Sequence, residues 1–219
     1  MFFVLFSLFV SMSGAKATPL SNFQDFSYEG SGCPVGTVGH VFSFDRKNIS
    51  ILFDQMIVSL SGNQKGREVL VEKDCRIFLN IKVKKNTRVN ALNFKFDYRG
   101  YVYATNGGSA FLKVDRINRN SSPFPTLSNQ SYQSILDLEW NSSAELLISE
   151  DFYLYPKRAL RLETPCSKKD QVYRIELLQT MGAQLPAGHL VDTEVYLGLD
   201  SIEGVRRMDL SLVHFSCGL

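Results

Sequence analysis

The chain has 219 residues, of which 44% are apolar and 21% charged, with 24 basic side chains against 22 acidic ones. Such balance argues against the dense basic face of a nucleic-acid or anionic-membrane protein. Behind the N-terminal run no stretch reaches the roughly 18 apolar residues of a membrane helix, so the sequence predicts no transmembrane anchor.

The first element is a leader. The apolar run 2–10 is too short to span a bilayer, and Ala15-Lys16-Ala17 sets a small-x-small cleavage pattern before Thr18. Residues 1–17 therefore read as a signal peptide, although only the α-amino group stands where a basic region is usual. The mature protein is expected to be secreted, extracellular or periplasmic, and its roughly 200 residues can bury about 70% of their unfolded surface. Next, Gly32-Cys33-Pro34 marks a chain entry, glycine permitting a bend and proline denying a helix. Ile49, Ile51 and Phe53, then Met56, Val58 and Leu60, alternate with a phase shift across Asp54-Gln55, a bulge or a turn. Segments 77–83 and 92–98 alternate most cleanly, and the polar stretch 84–88 between them has hairpin length, which predicts antiparallel neighbours. Arg99-Gly100 interrupts the second segment, so Gly100 reads as a bulge or close backbone approach that lets Tyr101 and Tyr103 continue on a shifted phase.

Further strands are expected at 110–117, 131–140, 144–153, 172–178, 194–199 and 208–215, making about ten with almost no helical periodicity. The Asn-, Ser- and Pro-rich stretch 118–130 is a long surface loop or an interdomain linker, and no internal repeat supports two domains. Four cysteines, Cys33, Cys75, Cys166 and Cys217, allow three pairings, of which the sequential one is simplest. They lie far apart without Cys-x-x-Cys spacing or a neighbouring histidine, so neither a metal nor another cofactor is expected.

The run Gly30-Ser31-Gly32-Cys33-Pro34-Val35-Gly36-Thr37-Val38, then Lys73-Asp74-Cys75-Arg76-Ile77 and Asp97-Tyr98-Arg99-Gly100-Tyr101-Val102, resembles the secreted family catalogued as domain of unknown function 4360. Pro165-Cys166, Gly198-Leu199-Asp200-Ser201 and Phe215-Ser216-Cys217 fall where that family places similar elements, with Phe215 standing in for its usual tryptophan. The resemblance implies one secreted, disulfide-bonded, β-rich domain and no assigned activity.

Candidate chemistry is sparse. His40, His189 and His214 are isolated, the first and last inside predicted strands, and neither a Gly-x-Ser-x-Gly elbow nor a zinc helix accompanies them. Glu150-Asp151 and Asp137 with Glu139 offer carboxylates for glycoside hydrolysis, which needs a fixed separation that spacing does not reveal. The segment 200–204 offers oxygen ligands near a glycine but lacks the series of a calcium loop. Lys82, Lys84, Lys85 and Arg88 read as a solvated strand end and turn. Sequons stand at Asn48, Asn120, Asn129 and Asn141. The one candidate ligand face is Tyr98, Arg99, Tyr101 and Tyr103, since tyrosines stack on sugar rings and arginine offers a rigid hydrogen-bonding fork.

The sequence thus predicts an all-β antiparallel sandwich over 18–219, stapled by two disulfides. The leading functional expectation is a non-enzymatic module whose partner is a glycan or an envelope protein. A secreted hydrolase of a polysaccharide or envelope polymer is the alternative, and a structural envelope component the third.

Overall fold

A computed structural model describes residues 21–54, 56–62, 67–117, 132–143, 148–154, 156–188, 192–199 and 207–217. The leader, the stretch 118–130, His189 and the segment 200–204 lie outside them. Thirteen strands follow in chain order among the described residues: β1 (Ser21–Glu29), β2 (Val38–Phe42), β3 (Asn48–Phe53), β4 (Met56–Ser61), β5 (Val69–Val83), β6 (Thr87–Ala104), β7 (Ser109–Ile117), β8 (Tyr132–Asn141), β9 (Ile148–Leu154), β10 (Lys157–Arg161), β11 (Gln171–Leu185), β12 (Glu194–Leu199) and β13 (Arg207–Ser216). The additional strands beyond those expected are β1 and β10, while β2 is the strand expected around His40; β10 is only five residues long, too short to print a clear alternation.

The strands make an antiparallel β-sandwich. One sheet has the order β1-β5-β11-β7-β8; the other joins β2, β3, β13, β6, β12 and β4, with β9 and β10 also on β6. Between the sheets lies one contiguous core that includes Phe23, Ile49, Ile77, Leu79, Phe94, Phe96, Leu177 and Leu210, all nearly sealed from solvent. Each such side chain contributes about 1.5–3 kcal/mol by leaving water. A buried polar contact also links the sheets, Tyr98 donating its hydroxyl to Gln179 Oε1 at 2.7 Å.

The eighteen-residue β6 is the spine of the larger sheet. β10 and β9 follow each other along one edge, Lys157 opposite Lys95 and Leu154 opposite Tyr98, with Phe96 N–H donating to the Pro156 carbonyl between them at 3.1 Å. β13 and β12 share the other edge, Arg207 opposite Asp97 and Leu199 opposite Gly100.

Two expectations are corrected here. Segments 77–83 and 92–98 are not neighbours: β5 pairs with β1 and β11 in one sheet, and β6 lies in the other. The connection between them is a corner, with Asn86 at φ 57°, its N–H given to Ser167 O at 2.7 Å and its carbonyl accepting from Cys217 N–H at 2.9 Å. Both strands bury one full face, so the chain can cross the core at this corner and place those faces toward each other from opposite sheets. Nor does β6 change phase at Gly100. Tyr98, Gly100, Val102 and Ala104 point inward, while Arg99, Tyr101 and Tyr103 point outward. Gly100 is instead a close approach, because a Cβ there would clash with the Gly198 carbonyl oxygen and the Phe152 ring.

The disulfides join Cys33 to Cys75, with Cα atoms 5.3 Å apart, and Cys166 to Cys217, with Cα atoms 6.1 Å apart. The first fixes the bend after β1 against β5. Gly30, at φ 142°, lets the backbone lie directly on the Asp74 carbonyl, and Ser31 Oγ donates to Asp74 Oδ1 at 2.8 Å. Among the described residues no helix is long and apolar enough to cross a membrane.

Candidate functional site

The outward row of β6 runs Asn93, Lys95, Asp97, Arg99, Tyr101 and Tyr103, about 33 Å of one sheet face. Strand alternation puts it there, since the same spacing sends Leu92, Phe94, Phe96 and Tyr98 into the core. Three of the four sequence-predicted ligand residues, Arg99, Tyr101 and Tyr103, share this face. Tyr98 does not: it is fully buried, and that burial pushes its phenol well above the usual range.

At one end of the row the sheet curves into a trough of about 630 Å³. Two cross-strand rows form its floor. Asn48, Ser211, Asn93 and Ala159 make one; Ser50, Asp209, Lys95 and Lys157 make the other. Asp209 is held on both oxygens, Oδ1 by the Ser50 hydroxyl at 2.6 Å and Oδ2 by Arg207 Nε at 2.9 Å. Arg207 stands opposite Asp97, which faces Arg99 Nε at 3.9 Å.

The other end is aromatic. Tyr101 and Tyr196 have ring centroids 6.2 Å apart, and the Tyr101 and Ser149 hydroxyls lie 2.7 Å apart. Tyr196, opposite Tyr103, folds over Gly198, where a Cβ would come 2.5 Å from its hydroxyl oxygen. The face therefore offers phenol rings and a guanidinium at one end and amides, hydroxyls and ammonium groups at the other. This combination suits sugar rings, which have apolar faces and hydroxyl edges.

Sequence reasoning missed Tyr196, Lys157, Arg207 and Asp209. The alternation of 194–199 and 208–215 carried the signal that Tyr196, Asp209 and Ser211 point one way, but not which strands would flank β6. The two pairs of carboxylate candidates lie on strands of different sheets. Asp137 and Glu139 lie on β8 in the other sheet, where both bind Lys113, at 3.4 and 3.3 Å, whereas Asp151 stands opposite Tyr101. His40 stacks on Phe26 at 4.4 Å, and burial and then Arg46 hold its imidazole below the usual value. Burial and then Lys47 do the same to His214, with Asp45 opposing. Lys82 and Lys84 both meet Asp170, at 3.4 and 3.8 Å. Among the described residues no group of three or more His, Cys, Asp or Glu is placed to hold a metal ion.

Comparison with known proteins gives relatives without an assigned activity. An uncharacterized secreted protein of Arthroderma benhamiae is 33% identical over 87 residues, 40% of this chain and 34% of that protein. The match thus spans about a third of the length of this curated relative. Among solved structures, TmCBM61 in complex with beta-1,4-galactotriose aligns at 12% identity over 89% of this chain and 90% of that one, with a TM-score of 0.22. The N-terminal cellulose-binding domain of Cellulomonas fimi beta-1,4-glucanase C aligns at 10% identity over 86% and 88%, with a TM-score of 0.23. At these TM-scores neither likeness bears on the ligand of this chain. The disulfides fit an oxidising, extracellular setting. Residues 21–146, more than half of the chain, match the family described as a domain of unknown function (DUF4360), and the chain is a secreted member of that family.

Proposed function

We propose that this protein is a non-enzymatic, single-domain glycan-binding module that receives an extended polysaccharide along the outer face of its larger sheet. The observation that carries the reading is the outward row of β6, where Arg99, Tyr101 and Tyr103 lead into a polar trough on one continuous face. A flat run of rings and hydrogen-bonding groups suits a chain of sugars better than a small molecule, which favours an enclosed pocket. Binding rather than hydrolysis is supported by the state of Asp209, the carboxylate lining the trough, whose oxygens are engaged by Ser50 and Arg207.

The test is a binding screen of the oxidised mature protein against soluble and insoluble polysaccharides, with released sugar measured in the same samples. Tyr101→Ala and Arg99→Ala are each expected to weaken binding about tenfold, roughly 1.4 kcal/mol, while leaving thermal stability nearly unchanged. Soluble fragments released by the wild type, or variants that bind as well as it does, would overturn the reading.

A further inference from the structure

The geometry points to an anionic polysaccharide, one bearing carboxylate or sulfate groups, as the ligand of the trough. The inference rests on the glycan-binding reading above and concerns the charge of that glycan.

Lys95 and Lys157 stand directly opposite each other in the β6–β10 ladder, and both line the trough. Like charges in that position, with Cβ atoms about 5 Å apart, destabilise a sheet. Among the described residues neither lysine has a carboxylate within ion-pair distance. The nearest acidic neighbour by register, Asp209, flanks Lys95 on its other side, and Ser50 and Arg207 hold its two oxygens.

Among the described residues two other lysines on strand faces, Lys113 and Lys82, have carboxylate partners, whereas Lys73 on β5 makes no ion pair. Lys113 sits between Asp137 and Glu139, and Lys82 and Lys84 share Asp170. Lys73 stands opposite Met181, so what sets the trough apart is that two lysines without carboxylate partners face each other. Protection of a sheet edge by lysine accounts for Lys157, which lies on the edge strand β10, but not for Lys95 on the central strand. A negative group seated between the two ammonium groups turns their repulsion into a bridge, while Asn93 and Ser211 on the next row stand ready for hydroxyls of the same chain.

The experiment measures binding of the mature protein, made without N-glycosylation because the Asn48 sequon borders the trough, to four polymers. Polygalacturonate is compared with fully methyl-esterified pectin, which shares its backbone, and dextran sulfate with dextran. The inference expects at least one charged polymer to bind about tenfold tighter than its uncharged counterpart at low salt, and the advantage to vanish near 1 M sodium chloride. Lys95→Gln and Lys157→Gln should each remove most of that advantage, Lys95→Arg should keep it, and Lys113→Gln on the opposite sheet should leave it intact. Preference for polygalacturonate identifies a carboxylate ligand, and preference for dextran sulfate a sulfate. Equal binding of charged and uncharged polymers, lost with Tyr101→Ala, overturns the anionic ligand and leaves the glycan-binding reading standing. No binding to any polymer in the wider screen removes both.

Discussion

Replacing Tyr98 by Phe removes a single oxygen from the centre of the sandwich. That oxygen donates to Gln179 Oε1 at 2.7 Å, and both residues are fully buried. The rings around Tyr98 are untouched, Phe96 at 5.3 Å and Phe53 at 6.2 Å between centroids, so packing stays and the loss is one hydrogen bond plus a stranded amide oxygen. A buried acceptor left without its donor costs about 1–3 kcal/mol, so Tyr98→Phe should lose about 2 kcal/mol, or about 4–8 °C in a chain of this size. Gln179→Met, which also gives up the 3.1 Å contact from Nε2 to Met56 Sδ, should cost a similar amount. The double variant replaces both partners with apolar groups and should cost clearly less than the sum. Urea unfolding of all four proteins, disulfides intact, gives the cycle. The pH adds a second readout. Burial raises the Tyr98 phenol well above its usual value of about 10, so the stability it contributes is complete below that value and is lost as pH climbs through the folded-state pKa. Wild type should therefore lose stability steadily above about pH 10, and Tyr98→Phe should lose less, the raised Tyr173 being common to both. Strict additivity of the two single changes, or identical alkaline limbs, would refute the reasoning. Polysaccharide binding below the unfolding range should not change, because Tyr98 faces away from Arg99 and Tyr101.

Gly100→Ala should cost about 3 kcal/mol in urea unfolding, since its Cβ meets the Gly198 backbone as well as the Phe152 ring; a near-neutral result would mean that β6 and β12 part easily. Replacing Cys33 and Cys75 together by Ser opens a loop of 42 residues and should cost about 4 kcal/mol by the chain-entropy account, read from the same curves. The Ser31 hydroxyl, with its own N–H, holds the Asp74 carboxylate below the usual range. A lowered pKa gives stability that is present above about pH 4 and lost as pH falls, so the deficit of Ser31→Ala should be largest near neutrality and narrow in acid; a deficit independent of pH would sink the assignment.

Alternation was legible because one face of each strand is wet and the other dry. Ile77, Leu79, Ile81 and Val83 announced a strand, as did Leu92, Phe94, Phe96 and Tyr98, and the short β10 did not. Arg99, Tyr101 and Tyr103 stood out as a candidate face from residue type alone, but Tyr98 was grouped with them because a glycine in a strand fits a phase shift as well as a close approach. Only the position of the Gly198 carbonyl and the Phe152 ring separates the two.

Local sequence thus determined the class of the protein, all-β and disulfide-bonded, since period-two burial and cysteine number are properties of short segments and composition. Partnership was decided by the tertiary structure. Whether 77–83 folds back on 92–98 or crosses to the opposite sheet depends on which arrangement buries both apolar faces at once, and that is settled by β1, β11 and β13, distant in the chain. The trough likewise exists only because β3, β13 and β10 flank β6, bringing Ser50, Asp209 and Lys157 beside Lys95 from three separate parts of the sequence.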